Sequence, residues 1–245
     1  MAVINGTDEA DVLNGTSGKD TIRGFDGEDV LDGKAGNDTV DGGDDDDIVR
    51  GGDGNDIVIG GKGEDELFGG AGNDHLTDES GNDSLSGGAG KDYLDAGEGN
   101  DDLSGGGGAD KLYGREGNDD MAGGGGRDKL WGGEGDDDMD GGGGRDKLWG
   151  GEGNDVLAGG KGKDVMTGGE GGDRFVFEFG KDKIKDFESG DDEIDLTAIK
   201  GVNDFDDVLD AASEVGDDVV LAFGKKQLTI EDTSIGDLDD DDFVL

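Results

Sequence analysis

One residue type returns at every ninth position without a slip. From Asp11 each step of nine lands on aspartate: Asp20, Asp29, Asp38, Asp47, Asp56, Asp65, Asp74, Asp83, Asp92, Asp101, Asp110, Asp119, Asp128, Asp137, Asp146, Asp155, Asp164 and Asp173. Two residues after each aspartate the side chain is apolar, from Leu13 and Ile22 to Met166 and Phe175. Two residues before it stands Gly, except at Glu9 and Asp45; five before it stands Gly, except at Asp78 and Ala96. The unit is G-G-x-G-x-D-x-U-x, with U apolar. A second period overlies the first. "GGGGRDKLW" occurs at Gly123–Trp131 and again at Gly141–Trp149, with the different unit "GGEGDDDMD" between them. Repetition this regular means one local structure used many times, and a nine-residue piece buries nothing unless its neighbours stack on it.

Composition alone points elsewhere. The chain of 245 residues has 57 Gly, no Pro, no Cys, a net charge of -45 and only 29% hydrophobic residues. Such a balance is that of a disordered acidic chain. A collagen-like helix is excluded by the missing proline and the absence of a three-residue period. Without cysteine there is no disulfide scaffold. The charge argues against nucleic acid and anionic membranes as partners and in favour of cations. "MAVINGTDEAD" has neither a basic region nor an apolar stretch, so no N-terminal secretion signal is read there. No apolar run is long enough to span a membrane.

Each position of the unit has its own physical reason. Glycines permit positive φ and a close approach of the chain to an ion. The last three residues read as a very short strand in which only U points inward. The unit resembles the calcium-binding nonapeptide repeat of the RTX (repeats-in-toxin) family over residues 3–176. That resemblance implies an all-β fold, a right-handed parallel β-roll in which two units make one coil. Eighteen residues then return the chain to the same face, and both copies of "GGGGRDKLW" lie on one side. The division expected is 1–176 for the roll and 177–245 for a small β-rich C-terminal cap containing one short helix. Within that cap, "DFDDVLDAASEV" places Phe205, Val208, Leu209 and Ala212 at helical spacing, and "DDVVLAFGKKQLTI" reads as a hairpin turning at Gly224.

The resemblance makes all nineteen aspartates, Asp11 through Asp173, candidate metal ligands. Calcium takes six to eight oxygens, more than one turn offers. In the family, two carbonyls and the Asp of one turn combine with the same set eighteen residues on. On that pattern Asp128 and Asp146 share an ion, as do Asp137 and Asp155. Up to about 17 ions fit, which takes the charge from -45 to about -11. One apolar residue per unit is a thin core for so much glycine, so the chain is expected to be disordered without calcium and folded with it. The turns are not equal: "GTDEAD" lacks two glycines and caps the coil, while "GGDDDD" and "DESGND" break the pattern at Asp45 and Asp78. An EF-hand start at Asp136, Asp138, Asp140 and Gly141 fails at its twelfth position, Lys147.

Beyond residue 176, Asp182, Asp186, Asp191 and Asp195 offer either one more ion site or a plain solvated face. The acidic run before Phe243, Val244 and Leu245 resembles the C-terminal signal of type I secretion, which makes the secretion machinery an expected partner and the location extracellular or at the cell surface. No catalytic constellation is found: His75 is a lone surface histidine, and the repeats begin close to Met1. Tyr113, Trp131 and Trp149, flanked by Lys111, Lys129 and Lys147, form an outward column at eighteen-residue spacing. It is either a strip for polysaccharide or cell-surface glycan, or an aromatic stack across the rungs, the reading preferred here. Ice binding is rejected because Thr never holds the third position of the unit. The expected function is calcium binding by a secreted structural or adhesive roll. The alternatives are a carbohydrate-binding module and an export or stabilising module of a secreted enzyme.

Overall fold

The apolar residue of each unit needs an apolar partner, and the only one within reach belongs to the unit opposite. A computed structural model describes residues 1–245, and it resolves this need as a parallel β-solenoid of about 11 turns. Successive units alternate between two facing sheets. One carries Val3–Asn5, Thr21–Asp26, Thr39–Asp44 and so on to Val165–Glu170 and Lys181–Ile184. The other carries Val12–Asn14, Val30–Asp32, Ile48–Asp53 and so on to Arg174–Val176 and Glu193–Asp195. Neighbours within a sheet run parallel, with Leu112 opposite Leu130 and Trp131 opposite Trp149. Eighteen residues therefore make one coil, as the resemblance implied.

The core is one inward residue deep from each side. Ile22, Leu31, Val40 and each successor through Met166 and Phe175 are buried, while Ile4 and Leu13 at the open first coil are only partly so. The strands are longer than the three residues expected. Ile57–Lys62 and Lys129–Glu134 each run six residues and alternate between exposed and buried. The ladder continues because the first glycine of the next unit is still extended and turns inward beside the apolar residue. The following positions make the turn. At Gly54, with φ +146°, a Cβ would run into the carbonyl of Gly36 one coil away. Glycine there serves both the backbone angle and the close stacking of coils.

The ladder does not stop at residue 176. Met166 pairs with Ile184 in the eighteen-residue register, and Phe175 pairs with Ile194 after a one-residue slip. Further on, Lys226–Ile230 adds in parallel to Lys181–Ile184, and Phe243–Val244 adds to Glu193–Asp195. Between them lies the expected short helix, Phe205–Ala211, capped by the Asp204 carboxylate accepting from the Asp207 N–H at 3.0 Å. Ala212 is not helical; it opens the strand Ala212–Val215. The hairpin of Asp218–Phe223 and Lys226–Ile230 turns at Gly224, φ +67°, as the sequence suggested. This cap closes the open end of the apolar core with Val208, Val219, Leu221, Leu228 and Phe243. Lys183, at 2.6 Å, and Lys185 both reach Glu231, and Arg174 pairs with Asp195.

Candidate metal centre

Every unit ends its turn with the aspartate, placed between the last glycine and the start of a strand. Its side chain points into the turn, where the coils are closest. From Asp29 through Asp173, one carboxylate oxygen, Oδ1, accepts the backbone N–H of the aspartate eighteen residues earlier, at 2.6–2.9 Å. The other oxygen, Oδ2, is buried in every one of them and has no hydrogen-bond partner. A buried charged oxygen left unpaired is costly, and a whole column of them is not a stable arrangement by itself.

The atoms facing Oδ2 are oxygens too. A Cβ placed on Gly51 would lie 2.6 Å from Asp56 Oδ2 and 2.9 Å from the carbonyl oxygen of Gly69. On Gly105 it would lie 2.9 Å from Asp110 Oδ2 and 2.8 Å from the Gly123 carbonyl. The first glycine of the unit thus leaves open a cradle into which a carboxylate of one coil and a carbonyl of the next converge. Hard oxygen donors without a proton donor among them suit a hard cation such as calcium.

Electrostatics state the same need. Burial pushes Asp47 up to about 7; the N–H of Asp29 pulls the other way, and the carboxylates of Asp65 and Asp29 add to the rise. Burial likewise takes Asp137 and Asp146 to about 7, with the ladder neighbours of each adding repulsion. Asp74, Asp110, Asp119, Asp155 and Asp173 rise to about 6 for the same first reason.

The two leading aspartates differ. Asp11 Oδ2 accepts from the Thr7 N–H at 2.7 Å and the Thr7 hydroxyl at 2.9 Å. Asp20 Oδ2 accepts from the Thr16 N–H at 2.6 Å and the Thr16 hydroxyl at 2.7 Å, which holds its carboxyl below the ordinary range. Threonine in the second position satisfies from within what the glycine units leave open. The column also reaches further than the nineteen expected residues. Asp182 Oδ1 accepts from the Asp164 N–H at 3.0 Å, and Asp192 Oδ1 accepts from the Asp173 N–H at 2.9 Å. One more step of nine from Asp173, with Ile184 two residues on, was a signal for Asp182. Asp192 escaped because one extra residue breaks the phase before it. The other cap aspartates are held differently: Asp186 accepts from the Gly168 and Gly169 N–H groups, near enough to Asp173 and Asp192 for its charge to add to the rise of both, and Asp195 faces Arg174 and Thr197.

A second column lies outside the first. Asn73 N–H donates to Asn55 Oδ1 at 2.7 Å, and Asp136 N–H to Asn118 Oδ1 at 2.9 Å, so the asparagines tie coil to coil at the surface. The EF-hand reading of this region fails structurally as well, since Asp138–Asp140 is a strand.

The family model described as RTX calcium-binding nonapeptide repeat (4 copies) matches residues 5–40, 41–76, 68–103, 77–112, 113–148, 142–175 and 149–184. The chain belongs to the RTX calcium-binding repeat family. Its RTX repeats bind calcium and serve a structural role, and such repeats are typical of secreted proteins. Among solved structures, the chain is similar to the AlgE6R3 subunit of the Azotobacter vinelandii mannuronan C5-epimerase. The identity is 32%, covering 48% of this chain and 77% of that one, with a TM-score of 0.40. It is also similar to the extracellular lipase LipA of Serratia marcescens. There the identity is 19%, covering 98% of this chain and 39% of the lipase, with a TM-score of 0.31. No curated protein sequence matches the chain. No helix of this RTX chain is long and apolar enough to cross a membrane.

The aromatic column on the RTX roll is a stack. Tyr113 and Trp131 lie 4.4 Å apart and Trp131 and Trp149 4.8 Å apart, with interplanar angles of 1° and 4°. Tyr93 and His75 extend it, tilted, toward the N-terminal coils. The faces of Trp131 are therefore turned to neighbouring rings, and its edge is what the solvent sees.

Proposed function

We propose that this chain is a secreted calcium-triggered folding module with a structural or adhesive role outside the cell, exported by a type I secretion machinery. The observation that carries the reading is the column of buried, unpartnered Oδ2 atoms, most of them converging with a glycine carbonyl of the next coil. In this reading the ladder aspartates from Asp29 through Asp173 hold the ions, one between each pair of stacked turns; with the two leading aspartates set aside, the total of about 17 for nineteen turns becomes up to about 15. Asp11 and Asp20, supplied by threonine, form the end cap. The roll through residue 176 is the calcium-binding part and 177–245 the cap with the export signal.

Calcium bound in these cradles would supply positive charge where the chain has only acceptors, and so join coils that otherwise repel. Low calcium would keep the chain extended for passage through a narrow exporter; millimolar calcium outside would close it. Burial of Phe243 within the second sheet supports the same order of events, because that residue is accessible only before the cap has formed. The ring-on-ring geometry of Trp131 and Trp149 favours packing over a glycan platform. The test is a calcium titration of the full chain after chelation, followed by circular dichroism and by counting bound ions. Strand content should appear with calcium, together with uptake of many ions. Equal strand content in EDTA and in millimolar calcium would reject the function.

A further inference from the structure

One cradle is built differently from the rest. At the first position of its unit, where glycine is the rule, the chain has Asp78. Its Oδ1 accepts two backbone N–H groups, from Glu79 at 2.7 Å and from Gly61 on the previous coil at 3.3 Å. That anchorage turns Oδ2 inward, where it is buried without a partner. The carboxylate oxygens of Asp65, Asp78 and Asp83 lie within 4.8 Å of one another. Asp65 and Asp83 are almost completely buried, and their Oδ2 atoms are also unpartnered. A Cβ on Gly60 would lie 2.6 Å from Asp65 Oδ2 and would meet Asp78 Oδ2 on the side from which a glycine carbonyl approaches the other cradles.

We propose that Asp65, Asp78 and Asp83 form a three-carboxylate calcium site, the tightest on the roll and the last to release its ion. The proposal rests on the calcium reading of the ladder given above. Elsewhere the two coils bring two carboxylates and neutral carbonyls; here a third formal charge is added at the same place. Affinity for calcium in oxygen cages rises with the number of charged ligands, and the backbone has already fixed Asp78 in its inward pose. Three carboxylates packed this closely repel one another strongly until a cation lies among them. The sequence marks this turn only as a break in the repeat; the geometry makes it a strengthened site.

The test strips the calcium-loaded full chain with chelators of graded strength and counts the ions that remain. The wild type should keep one ion against a chelator about tenfold stronger than the one that empties the other cradles. Asp78→Gly restores the common unit and Asp78→Asn keeps the shape without the charge. Both should lose the retained ion and leave the release of the others unchanged. Release curves of the two variants that superimpose on the wild type would overturn the three-carboxylate site and leave the ladder reading intact. A wild type that takes up no calcium would overturn both.

Discussion

Consider the chain in EDTA at pH 8. Asp47 is almost wholly buried, and burial raises its carboxyl from the ordinary 3.8 to about 7. At about 1.4 kcal/mol for each tenfold change in proton affinity, keeping it ionised in the folded chain costs about 4 kcal/mol more than in the unfolded one. Asp137 and Asp146 carry the same burden. Those three together reach about 12 kcal/mol, the size of a whole domain's stability. Because the folded carboxyls have the higher pKa, the folded chain binds more protons than the unfolded chain between about pH 4 and 7. Stability without metal therefore falls as pH rises through that window, and the penalty vanishes below about pH 4. Circular dichroism in EDTA should show an unordered chain at pH 8 that gains strand signal as the solution is acidified toward pH 4. In millimolar calcium the strand signal should persist across neutral pH, with protons released on calcium addition at pH 6. Strand content in EDTA that is unaffected by pH, or that increases with rising pH, would refute the reasoning.

Leu130→Ala should cost about 2–5 kcal/mol, read as a rise in the calcium needed for half-folding, because nothing behind this one-residue-deep core can fill the gap. Phe25 holds φ +90° at an exposed second position, where most units of the roll use glycine; Phe25→Gly should stabilise the calcium-loaded roll by about 1 kcal/mol in thermal melts. Gly123→Ala would set a methyl 2.9 Å from the Gly141 carbonyl and 3.1 Å from Asp128 Oδ2; ion counting should find one calcium fewer. Trp131→Ala should abolish the exciton-coupled dichroism expected of the Trp131–Trp149 stack while leaving calcium uptake unchanged.

Much of the architecture was legible because the repeat is strict. The phase of the aspartates located the turns, and the apolar residue two positions on located the core from Ile22 to Phe175. The eighteen-residue recurrence of "KLW" stated which strands are neighbours. Where the phase broke, the reading weakened. Asp192 follows an inserted residue, and Asp78 differs from the unit by a side chain whose direction depends on N–H groups of two coils. Threonine beside Asp11 and Asp20 was visible, but its hydroxyl bond to the carboxylate is a matter of distance.

The sequence by itself determined the unit: a glycine turn, an aspartate and one inward apolar residue, repeated often enough that only stacking could bury anything. Such local demands are written residue by residue, since φ angles and strand alternation depend on near neighbours. The tertiary structure decided which oxygens share a cradle. Oδ1 is taken by an amide eighteen residues away while Oδ2 faces a carbonyl of the next coil, and no stretch of nine residues contains both partners. Convergence of like charges costs energy that only a neighbouring coil, and a cation between the coils, can offset.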